Sequence, residues 1–232
     1  MNLPATLKSH IEPFLQTPIL STQSVSGGSI HQSIKLQTLR GPFFLKYNDL
    51  SAEENLELER KGLELLFQTN TLRIPRILLQ DCTETHVFLL LDWIERTDIA
   101  ADYCEQLGEG LAQLHQLSQD QFGLEYDNYI GALPQQNQRH ANWADFFVEK
   151  RLNPLVKMAS DKGLVSAELR AKFKRLELKV DELFPVEPPA LIHGDLWGGN
   201  LLVGPQGEPV LIDPAVYYGH REMELAFMTL FD

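Results

Sequence analysis

Three polar side chains near the end of the sequence have the types and spacing needed to hold a metal ion beside a reacting hydroxyl. Asp195 is followed five positions later by Asn200, and Asp213 comes thirteen positions after that. Two short apolar runs joined by a turn-forming Gly-Pro-Gln-Gly segment predict a β-hairpin between Asn200 and Asp213. The hairpin should bring both residues to one site. An Asp that orients a hydroxyl, with an Asn and an Asp that bind magnesium, is the set that phosphoryl transfer requires.

The same motif has a structural interpretation, since His-Gly-Asp is commonly a turn and Asp-Pro often starts a loop. However, the order and spacing match the H-x-D-x-x-x-x-N catalytic loop and the later metal-binding Asp of protein kinases, with Gly194 in place of Arg. Agreement of several roles in one order favours the catalytic interpretation. We expect His193 to support the loop through a hydrogen bond and not to transfer protons itself.

A lysine and a glutamate far upstream supply the other half of such a site. Lys46 is embedded in an apolar run that predicts a strand over 42–47, although a lysine there can also be an edge charge in solvent. The next segment predicts a helix over 51–67, and Glu59 falls on its apolar face. An inward carboxylate requires a partner, because burying an unpaired charge is costly. Pairing of Lys46 with Glu59 would create the group that fixes nucleotide phosphates in kinases.

A glycine-containing turn precedes these elements. Gly27, Gly28 and Ser29 lie between two predicted strands, where backbone N–H groups could cover the phosphates of a nucleotide. Two glycines are weak evidence by themselves, and an ordinary hairpin turn stays open as the alternative.

The change from strand patterns to helical patterns predicts the boundary between two lobes. A very apolar strand over 86–91 is predicted to be central in a sheet, and helical periodicity dominates after it. We therefore predict an N-terminal nucleotide-binding lobe over 1–93 and a C-terminal catalytic lobe over 94–232. Adenine is expected to bind backbone groups at the hinge formed by Leu91, Asp92 and Trp93.

Composition excludes several other classes of protein. The chain of 232 residues is 44% hydrophobic without a long apolar run, which argues against a membrane protein. Its net charge of −12 makes nucleic acid an unsuitable partner and suits a substrate with an amine, although acidity also serves solubility alone. Two cysteines outside any metal-binding spacing, and the lack of a signal-peptide pattern, predict a cytoplasmic protein.

Several motifs also match one known family, and the match spans nearly the whole chain. The segments are 27–28, Lys46, 59–63, 122–131, 143–147, 193–200 and 211–222. Together they resemble the fructosamine kinase, or ketosamine-3-kinase, family. His-Gly-Asp alone is shared with aminoglycoside and choline phosphotransferases. The form of the loop that contains Trp197, and the Tyr-Tyr-Gly-His-Arg-Glu run, are more specific.

The resemblance implies an α+β, protein-kinase-like fold of two lobes. The N-terminal lobe would be an antiparallel sheet with one helix, and the C-terminal lobe would be mostly helical. The implied reaction is ATP- and Mg²⁺-dependent phosphorylation of the sugar 3-hydroxyl of ketosamines, on free amines or protein lysines. Because the phosphorylated adduct is unstable, the family is associated with deglycation.

The resemblance also implies roles at matching positions. Asp195 would be the base or orienting group, Asn200 and Asp213 would bind magnesium, and Lys46, held by Glu59, would contact phosphates. The family's adenine hinge would be the same 91–93 segment, and the glycine-containing turn would cover the nucleotide.

Substrate contacts are inferred from position only, and two departures from the family stand out. Trp197, Asn128 and His220 are the candidates for contacting the acceptor. Ser29 stands where some relatives carry Cys, so a thiol switch is not expected there. The chain ends inside the helix that begins near Arg221, whereas family members continue, so we expect an incomplete C-terminal lobe.

Two other functions remain open at this stage. The same chemistry could serve an aminoglycoside, choline or another amino alcohol as acceptor. A non-catalytic nucleotide-binding protein is the alternative from another class.

Overall fold

Two compact units organise the chain. The first unit comprises residues 1–111 and 198–214, and the second unit comprises residues 112–197 and 215–232. A computed structural model describes residues 3–25 and 31–230, so the predicted turn with Gly27, Gly28 and Ser29 lies outside the described residues. The first unit exceeds the predicted N-terminal lobe because it continues to residue 111 and also includes residues 198–214. The lobe boundary after Trp93 stays a prediction.

An antiparallel sheet of five strands is the centre of the first unit. Its strands are β1 (Ile19–Ser24), β2 (Gln32–Thr38), β3 (Gly41–Asp49), β4 (Ile77–Cys82) and β5 (His86–Asp92), with α1 (Ala5–Leu15) and α2 (Glu53–Thr69). The order β1-β2-β3-β5-β4 places β5 in the interior, which confirms the prediction from its apolar sequence. The sheet and helices also confirm the predicted α+β fold class.

The two faces of this sheet differ in chemistry. One face packs against α1, and its core consists of Leu7, Ile11, Leu15, Ile19, Ile34, Leu36, Leu45, Tyr47, Phe88 and Leu90. Burial of each such side chain contributes roughly 1.5–3 kcal/mol. Because side chains alternate along a strand, Lys46 between Leu45 and Tyr47 lies on the opposite face. That face carries the candidate nucleotide-binding side chains.

The helix α2 follows a short 3₁₀ turn, Leu50–Ala52. The side chain of Asp49 accepts a hydrogen bond from the N–H of Ser51 at 3.0 Å and so caps the turn. The sequence of 51–54 predicts a helix cap that begins at Ser51, whereas in the structure Asp49 caps the 3₁₀ turn that precedes α2. Helical spacing predicts that Leu56, Leu63 and Leu66 face inward, and all three are buried.

The remaining elements have at most 12 residues each. In chain order they are α3 (Tyr103–Leu114), β6 (Asn128–Ile130), β7 (Leu133–Gln135), α4 (Trp143–Phe147), a π-helical turn (Val148–Leu152), α5 (Asn153–Asp161), α6 (Ala167–Glu177), α7 (Val180–Leu183), β8 (Ala190–Ile192), β9 (Leu201–Val203), β10 (Pro209–Leu211), β11 (Tyr217–Gly219) and α8 (Arg221–Leu230). The helical spacing of apolar residues predicts a helix over roughly 98–117 with Ile99 on its buried stripe, but α3 begins only at Tyr103 and Ile99 is 64% exposed. Across the described ranges, none of the helices combines the length and apolar character needed to cross a bilayer.

The predicted hairpin is present as β9 and β10 and packs within the first unit. The N–H of Leu211 donates to the carbonyl oxygen of Arg73 at 3.0 Å, and the N–H of Ala100 donates to Gly207 at 3.1 Å. The hydroxyl of Thr97 donates to the carbonyl oxygen of Gly204 at 2.7 Å. These bonds tie the hairpin to the chain that follows α2 and β5. The residues at its two ends therefore belong to the same unit as Lys46.

Candidate active site

A lysine held between two carboxylates is the centre of the candidate site in the first unit. Nζ of Lys46 lies 2.7 Å from Oε1 of Glu59 and 2.5 Å from Oδ1 of Asp213. Lys46 is only 5% exposed. Burial alone would lower the pKa of Lys46, but the adjacent carboxylates of Glu59 and Asp213 outweigh it and raise that pKa above its ordinary value. The structure therefore brings together three of the predicted site residues around a permanent positive charge.

The ends of the hairpin meet at this cluster. The N–H of Ile212 donates to the carbonyl oxygen of Asn200 at 3.1 Å, which holds Asn200 beside the strand that leads into Asp213. Asp213 itself has a φ of 55°, a left-handed conformation that is uncommon for a residue with a side chain. Such backbone is energetically unfavourable and is found most often at functional sites.

The donor set fits a magnesium ion. Amide and carboxylate oxygens are the hard ligands that Mg²⁺ prefers, and the ion commonly takes only one or two carboxylates, with phosphates and water completing its shell. Asn200 and Asp213 supply this type of ligand. In the described ranges, no group of three or more His, Cys, Asp and Glu side chains forms an all-protein metal site. A magnesium ion bound by Asn200 and Asp213 would complete its shell with phosphate oxygens and water.

The predicted adenine hinge lies at the end of β5. Leu91 is buried, and the N–H of Asp92 donates to the carbonyl oxygen of Arg76 at 3.0 Å. The indole of Trp93 has Nζ of Lys35 4.1 Å from its ring centroid, so this end of the sheet carries a cation–π contact. Adenine binding by these residues stays a prediction.

The His-Gly-Asp loop belongs to the second unit. His193 is fully buried, and its Nδ1 accepts a hydrogen bond from the N–H of Asp195 at 3.3 Å. The imidazole therefore supports the loop, as the sequence predicted.

A buried glutamate that the sequence reasoning missed holds this loop from α8. Glu224 is 1% exposed, and its two carboxylate oxygens accept hydrogen bonds from the N–H groups of His193 at 2.8 Å and Gly194 at 3.0 Å. Nε2 of His115 lies 3.6 Å from the same carboxylate. A charged acceptor makes stronger hydrogen bonds than a neutral one, so Glu224 fixes the two peptide units that precede Asp195. The signal was available, because Glu224 lies three and four residues before two apolar positions of its helix, as Glu59 does before Leu63.

Only glycine fits at position 194. Gly194 has a φ of +82°, and a Cβ there would lie 2.1 Å from the carbonyl oxygen of Ala215. A hydrogen bond holds Ala215 in place, because the N–H of Ala215 donates to the carbonyl oxygen of His193 at 2.9 Å.

Replacing Gly194 with Ala should therefore destabilise the protein. Both the left-handed backbone and the clash with Ala215 oppose a methyl group, and we expect a loss of about 2–4 kcal/mol in the free energy of unfolding. Urea denaturation monitored by tryptophan fluorescence measures this loss. Gly163→Ala is the matched control, since Gly163 has a φ of +70° with open space around it and should lose less. Equal losses for the two variants would contradict the role of the Ala215 contact.

The three predicted substrate residues occupy different environments. The amide of Asn128 is buried, donates to the carbonyl oxygen of Val216 at 2.9 Å and accepts from Nε2 of Gln135 at 2.8 Å. His220 is also buried, with Nε2 3.0 Å from the carbonyl oxygen of Pro185. Trp197, by contrast, is 38% exposed. Asn128 and His220 thus support backbone in this structure, and Trp197 is the one of the three with substantial exposed surface.

These elements define a class of protein. An antiparallel five-stranded sheet with a Lys–Glu pair, an Asp after a hairpin and a separate Asp in a His-Gly-Asp loop are the parts of a protein-kinase-like phosphotransferase. The chain belongs to the fructosamine kinase family, whose model matches residues 5–232. The protein is therefore an enzyme that transfers a phosphoryl group, and ATP is the donor that a kinase family implies.

Individual relatives agree with this assignment. A probable ketoamine kinase of Synechocystis sp. is 35% identical over 237 residues, which cover 100% of this chain and 80% of the relative. The chloroplastic protein-ribulosamine 3-kinase of Arabidopsis thaliana is 36% identical over 213 residues, which cover 90% of this chain and 65% of the relative. A crystal structure from Haemophilus somnus 129PT, assigned as a fructosamine-3-kinase, has a TM-score of 0.87 at 25% identity and covers 98% of this chain and 77% of that one.

A more distant neighbour shows the fold alone. Aminoglycoside phosphotransferase APH(4)-Ia, solved in a ternary complex with ADP and hygromycin B, has a TM-score of 0.67 at 14% identity and covers 96% of this chain and 76% of that one. The shared fold is consistent with the predicted protein-kinase-like architecture.

Proposed function

We propose that the protein transfers the γ-phosphoryl group of ATP to the 3-hydroxyl of a ketosamine, a sugar adduct of a free amine or a protein lysine. The observation that carries this proposal is the Lys46 ammonium bound between Glu59 and Asp213. It supports a nucleotide site because a fixed positive charge beside a metal-binding carboxylate is what a triphosphate requires. The names of the ketoamine and ribulosamine kinases among the relatives support the acceptor.

Each site residue has a proposed role in this reaction. Lys46 binds phosphate oxygens and is held in place by Glu59, while Asn200 and Asp213 are proposed to hold Mg²⁺, which would neutralise charge on the phosphates. Asp195 is proposed to orient the acceptor hydroxyl and accept its proton as the new oxygen–phosphorus bond forms, while the bond from the γ-phosphorus to its bridging oxygen breaks and ADP leaves. Leu91, Asp92 and Trp93 would bind adenine.

The net charge of the protein and one exposed aromatic ring support the proposed binding of a ketosamine as acceptor. A ketosamine carries a basic amine, and the net charge of −12 favours the approach of a cation. Among the candidate substrate residues, Trp197 has the exposed face on which an amine or a sugar ring can pack. We propose Trp197 as the substrate contact, with Asn128 and His220 in supporting roles, and a cytoplasmic location.

One panel of acceptors tests the proposal. Fructosyl-lysine, ribulosyl-lysine, a ribulosylated peptide, an aminoglycoside and choline are compared under one coupled ADP-release assay with ATP and MgCl₂. We expect the ketosamines to exceed the other acceptors by at least about a hundredfold in kcat/KM, with one added phosphoryl group in the product by mass spectrometry. A preference for the aminoglycoside or choline would overturn the proposed acceptor and leave the proposed phosphoryl transfer from ATP unchanged. ATP binding without turnover of any acceptor would indicate the non-catalytic alternative.

A further inference from the structure

A buried hydroxyl without a hydrogen-bond partner lies beside the candidate phosphate-binding lysine. Ser33 is 8% exposed, and within the described part of the chain its Oγ makes no hydrogen bond. Ser33 pairs with Lys46 in the register of β2 and β3. Directly opposed residues of an antiparallel pair point to the same face, with Cβ atoms about 4.5–5.5 Å apart. The Ser33 hydroxyl therefore shares the face of the sheet that carries Lys46.

The surroundings of Ser33 on this face are polar and include the ammonium group of Lys46. His31, two residues earlier on the same face, has Nδ1 3.2 Å from Nδ2 of Asn48. Burial and, to a smaller extent, the charge of Lys46 lower the pKa of His31 to about 4, while Asp213 acts in the opposite direction. A hydroxyl in such a place suits an anion, because it can donate a hydrogen bond to the group that Lys46 attracts.

An unpartnered buried polar group calls for an explanation, and a bound ligand is one of the few available. We propose that Ser33 is a nucleotide-binding residue whose Oγ donates a hydrogen bond to a phosphate oxygen held by Lys46. Because Lys46 also contacts Asp213, the proposed metal ligand, the bond should go to the phosphates that share the metal and not to the adenosine part. This inference rests on the proposed function and extends its nucleotide site.

A purely structural role makes the opposite prediction for stability and ligand binding. If Ser33 serves the fold, removing its hydroxyl should lower the melting temperature and leave nucleotide affinity unchanged. If the Ser33 hydroxyl instead binds phosphate, it lacks a partner in the ligand-free protein. Ser33→Ala should then melt at the same or a higher temperature without ligand, because an unsatisfied buried group is removed. The same variant should gain less stability from ATP than the wild type gains.

Thr17 offers a matched control elsewhere in the first unit. Its Oγ1 is likewise buried and, over the described ranges, without a hydrogen-bond partner. Thr17 lies between α1 and β1, and its neighbours Leu15 and Ile19 belong to the core formed with α1. Thr17→Val therefore removes a buried hydroxyl that lies outside the strand pair that carries Ser33 and Lys46.

The experiment compares the full chain with Ser33→Ala, Ser33→Cys and Thr17→Val. Calorimetric titration with ATP, ADP and adenosine in MgCl₂ gives Kd values, and thermal unfolding gives melting temperatures with and without ATP. We expect Ser33→Ala to weaken ATP and ADP about tenfold and adenosine not at all. Ser33→Cys, which keeps the volume but has a weak donor, should lose nearly as much, and Thr17→Val should match the wild type.

Several outcomes would overturn the inference. ATP affinity of Ser33→Ala within twofold of the wild type, an equal loss for adenosine, or a marked fall in the melting temperature without ligand would each assign Ser33 to the fold. If the wild type binds ATP and phosphorylates a ketosamine while Ser33→Ala binds ATP equally well, the inference alone fails. If the wild type binds no ATP, the inference and the proposed function fail together.

Discussion

Replacing Asp195 with Asn is expected to lower kcat for a ketosamine at least about a thousandfold while the affinity for Mg²⁺-ATP stays within about twofold. The amide keeps the size of the side chain but accepts a proton far less readily. The acceptor hydroxyl would then lose both its orienting charge and the group that takes its proton. Since removal of a general base commonly costs factors of a hundred to ten thousand, the effect should be the largest of any conservative change in the chain.

Nucleotide affinity should survive because the residues proposed for nucleotide binding and for proton transfer belong to different units. Lys46, Glu59, Asn200 and Asp213 belong to the first unit, whereas Asp195 belongs to the second. The variant therefore separates binding from chemistry: single-turnover phosphorylation reports the loss, and calorimetry with ATP and MgCl₂ reports the affinity.

Asp120→Asn is a suitable control for this experiment. Asp120 is an exposed carboxylate of the second unit, so the same chemical change there should leave kcat unaltered. A kcat for Asp195→Asn above about a tenth of the wild-type value would exclude Asp195 as the proton acceptor. A large loss of ATP affinity would instead make it part of the nucleotide or metal site.

The parts of this fold that sequence could predict are those with a strong local pattern. The hairpin between Asn200 and Asp213 follows from two apolar runs around a turn, and its antiparallel pairing is present as Pro209 opposite Val203. Helical periodicity predicts the inward position of Glu59, and the cost of an unpaired buried charge predicts that Lys46 is its partner. Both predictions depend on physics that acts within a few residues.

Features that depend on tertiary packing could not be predicted from local sequence patterns. Ile99 has the spacing of a buried stripe, but α3 begins only at Tyr103, so the stripe does not extend to it. The hairpin's attachment to the first unit depends on hydrogen bonds such as that between Leu211 and Arg73, which no local pattern specifies. The prediction that Asn128 and His220 contact the substrate rests on their positions in a motif. A motif does not specify whether a side chain faces a ligand or the backbone of a neighbouring segment.

Glu224 is the residue whose importance becomes clear only in three dimensions, and its replacement should have the second-largest effect on catalysis. Each oxygen of its carboxylate takes one N–H of the segment that leads into Asp195. In Glu224→Gln the amide nitrogen must face one of these N–H groups, so one buried donor loses its acceptor and the other loses a charged one. We expect a loss of about 2–4 kcal/mol in the free energy of unfolding.

Catalysis should fall for a separate reason. A displacement of Asp195 by a fraction of an ångström would misalign the hydroxyl that Asp195 is proposed to orient, and misplacements of this kind cost on the order of a hundredfold in rate. We therefore expect kcat of Glu224→Gln to fall about a hundredfold, with KM for ATP unchanged because the nucleotide residues lie in the first unit. A role in stability alone would lower the fraction of folded enzyme, and correction of kcat for that fraction would restore the wild-type value.

The control lies two residues away on the same helix. Glu222 is exposed, so Glu222→Gln makes the same substitution in α8 without touching the His193–Gly194 peptide units. Glu224→Asp tests whether the length of the side chain matters. A side chain shorter by one methylene cannot bring its two oxygens to both N–H groups, so this variant should recover little activity. Full kcat per folded molecule in Glu224→Gln would show that the loop keeps Asp195 in place by itself. A loss confined to Glu224 variants, at constant ATP affinity, would show that a buried carboxylate on the last helix sets the position of the catalytic aspartate.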